Sequence, residues 1–147
     1  MYCNIAWGCA YKTNLDNLFK LQKRAVRLIS NTSYLAHTST LFCRLGILKI
    51  FDIYKFQTLC FIYKYRNRYP GFSEIVFANT TSSVHNTRQI NKMFVPRYRT
   101  NVRGVSIKIS GPQMWNKLPP AIVSSESIFI FKSLLTQHLK KFLFVIL

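Results

Sequence analysis

The chain has 147 residues, 49% of them hydrophobic and 15% aromatic, and 21 Lys and Arg face only 4 Asp and Glu, for a formal charge of +17. That much apolar material argues against a disordered polypeptide and suffices to bury a core in one domain, residues 1–147. The charge imbalance repels itself in a compact fold and draws polyanions, so nucleic acid or an acidic surface is the natural partner class. The acids Asp16, Asp52, Glu74 and Glu126 lie far apart, with no Asp-Asp or Asp-x-Asp cluster. Two-metal phosphoryl transfer and glycosidase chemistry both need paired carboxylates, so neither is expected, and no catalytic residue is assigned.

Residues Met1 to Tyr11 are apolar and aromatic and read as the tail of a strand or helix, as if the chain began in mid-fold. Thr13 or Asn14 can cap the helix that follows, with Asp16 in its first turn, where the helix dipole favours a negative charge. Leu15, Leu18, Phe19, Gln22, Ala25, Val26 and Ile29 make one face at helical spacing. Lys20, Lys23, Arg24 and Arg27 make a second stripe on adjacent turns. Like charges so placed cost about 0.2–0.5 kcal/mol per pair, which an anionic partner relieves; the alternative is a solvated face.

Asn31 to Thr40 is a polar turn leading into a short helix that Gly46 can end. Ile50 to Tyr65 then has apolar residues on every side of a helix and no Gly or Pro. Its length favours a buried central helix over a strand, and a core over a ligand box. Lys64, Arg66 and Arg68 suit its C-terminal turn, and Pro70-Gly71 would stop it.

From Asn79 to Ser110 the composition turns to Asn, Thr, Ser and Arg, with Arg88, Lys92, Arg97, Arg99, Arg103 and Lys108 unopposed by acids. This is a basic arm, residues 79–110, with a minor β hairpin expected between Met93–Val95 and the alternating Val105–Ile109. It is either an exposed loop or a phosphate-tracking segment, with Phe94 and Tyr98 available for base stacking. Ser110 or Gly111 can cap a further helix with Pro112 in its first turn, Trp115 in the core and Pro119-Pro120 at its end. Ser125 or Ser127 then starts an amphipathic helix with Ile128, Phe131, Leu135, Leu139 and Phe142 on one face and Lys132, Thr136, Lys140 and Lys141 on the other.

Cys3, Cys9, Cys43 and Cys60 have no C-x-x-C spacing, and His37, His85 and His138 do not stand at zinc-site intervals from them. They read as reduced thiols in an intracellular protein, nuclear or cytoplasmic and not secreted, with no metal site. His138 borders an apolar face and reads as a packed histidine. No signal peptide is recognisable, and Phe142 to Leu147 is too short to span a bilayer, so no membrane insertion is expected. The fold expected is mostly α, a helical module around the buried central helix with the hairpin in its basic arm.

Several blocks in this order carry a resemblance. They are Trp7-Gly8, Leu21 to Arg27, Tyr34 to Thr38, Leu45 to Leu48, His85 to Arg88, Pro96-Arg97 with Arg99-Thr100, Gly111-Pro112 with Trp115-Asn116 and Leu118-Pro119, and Ser127 with Phe131-Lys132. Together they resemble the C-terminal region of the reverse transcriptase of non-LTR (LINE-like) retrotransposons of the Jockey, CR1 and RTE kind, over nearly all of the chain. The resemblance implies a thumb or post-thumb piece of an RNA-directed DNA polymerase that contacts RNA or DNA and pairs with an upstream palm. The palm's Ala-Asp-Asp box has no counterpart here, so the chain is not expected to be an enzyme on its own and no cofactor is assigned. The Mg²⁺ of the reaction would belong to the palm. Lys20, Lys23, Arg24 and Arg27 on the helix, and Arg88, Arg97, Arg99 and Arg103 on the arm, are the expected nucleic-acid contacts. The alternative is a translated transposon relic, or a structural remnant without binding of its own.

Overall fold

The computed structural model describes residues 4–68 and 92–144, and what it describes is mostly α-helical. In chain order the helices are α1 (Asn4–Trp7), α2 (Lys12–Ile29), α3 (Thr38–Leu45), α4 (Ile50–Arg68), α5 (Asn101–Val105), α6 (Ile107–Trp115), α7 (Pro120–Val123) and α8 (Ile128–Phe144). They fall into two compact units, Met1–Phe56 with Ser133–Leu147, and Gln57–Lys132. No helix among the described residues is long and apolar enough to cross a membrane.

In the first unit, α2 starts earlier than expected. Tyr11 occupies the N-cap position without a side-chain cap, so Thr13 and Asn14 lie inside the helix and Asp16 falls beyond its first turn. After the last helical residue, Ile29, and the C-cap Ser30, Asn31 turns left-handed with a φ of 48°. The Asn31 N–H donates to the Leu28 carbonyl at 3.1 Å and the Thr32 N–H to that of Arg27 at 3.1 Å, so two carbonyls of the last turn are satisfied. Asn tolerates this backbone better than other residues with a Cβ.

Helix α3 ends the same way at Gly46, φ 63°, as its sequence position suggested. The Gly46 and Ile47 N–H groups donate to the carbonyls of Cys43 and Phe42, both at 3.1 Å. A Cβ at Gly46 would be strained and would lie 3.1 Å from the Lys140 ammonium, which sits where the α3 dipole is negative. Val26, Leu41 and Phe42 form a buried cluster with Phe19, Leu45 and Ile47 packed against it. Phe19 also meets the edge of Phe51 at a ring separation of 5.4 Å. Gln22 ties α2 to the start of α4: its amide donates to the Leu48 carbonyl at 2.9 Å and its oxygen accepts from the Ile50 N–H at 3.0 Å. That bond satisfies one of the donors an N-terminal helical turn leaves open.

Helix α4 runs through the stretch read as a buried central helix, and it buries residues on several sides. Ile50 and Tyr54 are buried in its first half, Thr58, Leu59, Cys60, Ile62 and Tyr63 in its second. The expected stop at Pro70-Gly71 lies outside the described residues.

The second unit is built on a column of rings. Tyr63 stacks on Phe131 at 4.3 Å between centroids, Phe131 on Trp115 at 5.9 Å, and the Tyr63 hydroxyl donates to the Ser125 carbonyl at 2.7 Å. Trp115 is therefore the core anchor that its surroundings in the sequence suggested, at 2% exposure.

The expected β hairpin is corrected here: no strand is present among the described residues, and Val105–Ile109 lies in α5 and α6. Ser106 divides the two helices with an extended backbone, and its carbonyl accepts from the Ile109 and Ser110 N–H groups at 3.0 and 2.9 Å. Those local bonds take the groups a ladder would have used. Pro112 is also not in a first turn; it sits inside α6, which starts at Ile107 with Ser106 as its N-cap. Pro119 and Pro120 do more than end a helix, since Pro119 caps α7 and Pro120 is its first residue. Ser127 starts α8 as expected, its hydroxyl accepting from the Ile130 N–H at 3.3 Å, and Phe131, Leu135 and Leu139 are buried along one face.

Candidate nucleic-acid interface

Helical geometry gives α2 three sectors. At about 100° per residue, Leu15, Phe19, Gln22 and Val26 fall on the side that packs, Lys20, Lys23, Arg24 and Arg27 on an arc of about 100° beside it, and Leu18, Leu21, Ala25, Leu28 and Ile29 on the remainder. Burial follows this division. Leu15 and Val26 are buried, whereas Leu21 is 58% and Leu28 80% exposed.

The four cations of the arc are held differently. Lys20 and Arg24 are exposed. The Lys23 ammonium lies 4.5 Å from the Phe19 ring centroid, a cation–π contact that holds the side chain along the helix. Arg27 is committed to the fold: its Nε donates to the Ala36 carbonyl at 3.0 Å, and its guanidinium lies 5.6 Å from the Tyr34 ring centroid. The terminal donors of the guanidinium fork are not needed for that bond, so Arg27 can both brace the turn after α2 and face an anion. The arc is thus two anchored and two exposed cations. Asp16 is the one acid of the helix and lies four residues before Lys20.

On the arm, Arg97, Arg99 and Arg103 are all exposed, with Phe94 and Tyr98 exposed between and beside them. The Thr100 hydroxyl accepts from the Arg103 N–H at 3.4 Å and caps α5, which turns Arg103 out of an irregular segment and onto a helix. Arg88 lies outside the described residues. The α2 arc belongs to the first unit and the arm to the second.

Among the described residues no group of three His, Cys, Asp or Glu could hold a metal ion. Cys9, Cys43 and Cys60 are not in disulfides. Burial pushes the Cys60 thiol up to about 11 against the opposing pull of Lys132 and Lys64, so it stays protonated and unreactive at neutral pH. Compared with protein-family models, with characterised proteins and with solved structures, the chain matches none.

Two features escaped the sequence reading. One is the apolar sector of α2, for which the signal was present: Leu21 and Leu28 stand a heptad apart on a side that Leu15 and Val26 do not share. The other is Arg66, which was read only as a helix-ending cation and lies over the Trp115 ring at 5.6 Å. No periodicity links two residues so far apart.

Proposed function

We propose that the chain is the C-terminal, thumb or post-thumb part of a non-LTR retrotransposon reverse transcriptase, and that it grips RNA or DNA through phosphates without polymerising on its own. The observation that carries this reading is the α2 arc. Lys20, Lys23, Arg24 and Arg27 lie on successive turns, two of them braced by aromatic rings before any ligand arrives. Bracing reduces the side-chain entropy lost on binding, and a phosphate backbone supplies the repeated negative charge that such an arc matches. The arm adds Arg97, Arg99 and Arg103 with exposed rings suited to unpaired bases. Catalytic carboxylates and their Mg²⁺ would come from the palm.

The test is equilibrium binding of the 147-residue protein to single-stranded RNA and DNA across a salt series. If both the arc and the arm engage phosphates, log affinity falls against log salt by about 0.7–0.9 per phosphate neutralised. A flat dependence would overturn the phosphate reading.

A second reading is favoured by the apolar sector of α2. Leu18, Leu21, Leu28 and Ile29, with Tyr34 and Leu35 after the helix, are all exposed. An apolar surface of that kind is usually covered by protein, and here the cover would be the upstream palm. On this reading the chain is a structural remnant when alone, and it would self-associate at any salt while binding nucleic acid weakly.

A further inference from the structure

Between Glu74 and Glu126 the sequence holds no acid, and the described part of that stretch exposes Arg97, Tyr98, Arg99 and Arg103 in the second unit. Tyr98 is 43% exposed, yet its ring has a seat on the backbone of α5. A Cβ at Gly104 would lie 2.6 Å from Tyr98 Cε2 and 3.2 Å from each of Cδ2 and Cζ. A point 2.6 Å beyond the rim at Cε2 would stand farther than 3.2 Å from both of those neighbours, so the glycine lies against a face of the ring.

That seat accounts for the glycine. Gly inside a helix is less favourable than Ala, and Gly104 is inside α5, its N–H donating to the Thr100 carbonyl at 3.1 Å. Any larger residue there would displace the ring. The contact leaves the side away from Gly104 as the one from which another flat group can approach. A ring already seated loses less freedom when such a group stacks on it. Charge gathers at the same place: Arg97 and Arg99 adjoin Tyr98, and Arg103 adjoins Gly104, so each lies within one residue of the ring or of its seat. An aromatic surface among cations fits a planar group carried on a polyanion.

We infer that Tyr98 is the residue through which the arm selects an unpaired strand: a base of single-stranded RNA or DNA stacks on its ring while Arg97, Arg99 and Arg103 take the flanking phosphates. The inference rests on the proposed phosphate grip and narrows it. Bases in a duplex are already stacked on one another, so only an unpaired base can offer its face to the ring. Phosphate contacts alone make no such distinction. An acidic polypeptide would match the arginines and leave the ring without a partner. Gly104 is a positioning residue, acting through the ring it seats.

The experiment measures, for the 147-residue protein, binding of an unstructured oligonucleotide, of the duplex of the same sequence and of an abasic strand of equal length across a salt series. Tyr98→Leu keeps an apolar side chain and removes the ring. It should weaken binding of the base-bearing strand about five- to a hundredfold, while the abasic strand and the duplex change by less than about twofold. Tyr98→Phe should bind as the unaltered protein does. Gly104→Ala should act as Tyr98→Leu does, with the far-ultraviolet circular dichroism unchanged and the denaturation midpoint unchanged or raised, since the exposed ring can swing aside while Ala favours the helix. Salt-dependent binding that is indifferent to Tyr98→Leu overturns the inference and leaves the phosphate grip standing. Equal losses on the abasic strand or the duplex also overturn it, because the ring would then not be meeting a base. Absence of salt-dependent binding to all three removes the grip and the inference together. Competition by polyglutamate with the same dependence on Tyr98 would assign the site to an acidic protein instead.

Discussion

Helices α2 and α8 are nearly equal in length, 18 and 17 residues, and both carry an apolar face in their sequence, yet the fold uses them differently. Along α8 the expected face is the buried one: Phe131 and Leu135 are at 0% exposure. Along α2 only part of the expected face is buried, and Leu18, Leu21, Leu28 and Ile29 are left outside next to the basic arc. Apolar residues on a helix hold the fold where a partner element covers them, and those left outside on α2 are the ones that the second reading would cover with protein. In α8 the expected apolar face is the buried one, with Phe129 and Ile130 exposed beside it; in α2 the expected face is itself only partly buried.

The largest effect that tests this contrast is in α8. Phe131→Ala removes a ring that stacks on both Tyr63 and Trp115, and it should cost about 3–5 kcal/mol in chemical denaturation, enough to unfold a marginal domain. A loss under about 1 kcal/mol would mean that the ring column is not the core of its unit.

Next comes the arc of α2, where binding and stability should move in opposite directions. Arg27 and Lys23 are poor choices for substitution because each also braces the fold, so the informative pair is Lys20 and Arg24. Replacing both with Gln should reduce the slope of log affinity against log salt by about 0.7–0.9 for each phosphate no longer neutralised. Arg24→Glu should weaken binding further while stabilising the free protein by about 0.2–0.5 kcal/mol, because it turns a like-charge pair with Lys20 into an attractive one. Equal losses of binding and stability would place these residues among the fold's supports.

How much of this was legible in the sequence depended on whether one segment carried its own answer. The helix from Ile50 did, because a long run without Gly or Pro left nothing to interrupt it, and so did the end of α3, because Gly46 was the residue that a left-handed backbone requires. The hairpin did not. Val105, Ile107 and Ile109 alternate as in a strand, but the alternation straddles Ser106, where one helix ends and another begins, and a window that short cannot tell the two apart. Within α2 the residues Leu18, Ala25 and Ile29 lie only about 50–90° from the middle of the true core side, so spacing alone grouped them with it. The contact of Arg66 with Trp115 was out of reach for a different reason, since its partners come from segments joined only by folding. At the candidate interface the cationic residues could be named in advance, while the division between braced and exposed ones could not.

A smaller effect concerns how α8 begins. Ser127→Ala removes the hydroxyl that accepts from the Ile130 N–H and should cost about 1 kcal/mol, measurable as a shift in the denaturation midpoint. No corresponding change exists at the start of α2, because Tyr11 makes no side-chain cap there. Tyr11→Ser or Tyr11→Asp should therefore stabilise α2 where Ser127→Ala destabilises α8, and a loss of stability on adding a cap would mean that the Tyr11 ring matters more than the open donors.

The smallest expected effect is the sharpest one for the comparison. Leu28 is 80% exposed, so Leu28→Gln removes almost no buried area and should change folding stability by no more than about 0.5 kcal/mol. The same holds for Leu21→Gln. If the apolar sector is a docking surface, the double variant should nonetheless lose self-association at high protein concentration, read by sedimentation, with nucleic-acid binding and its salt slope retained. If instead the leucines lie along the bound strand, affinity should fall with the slope unchanged, since apolar contacts release no counterions. A stability loss of several kcal/mol would refute the division of α2 itself, because it would mean that these leucines already have a partner in the folded chain.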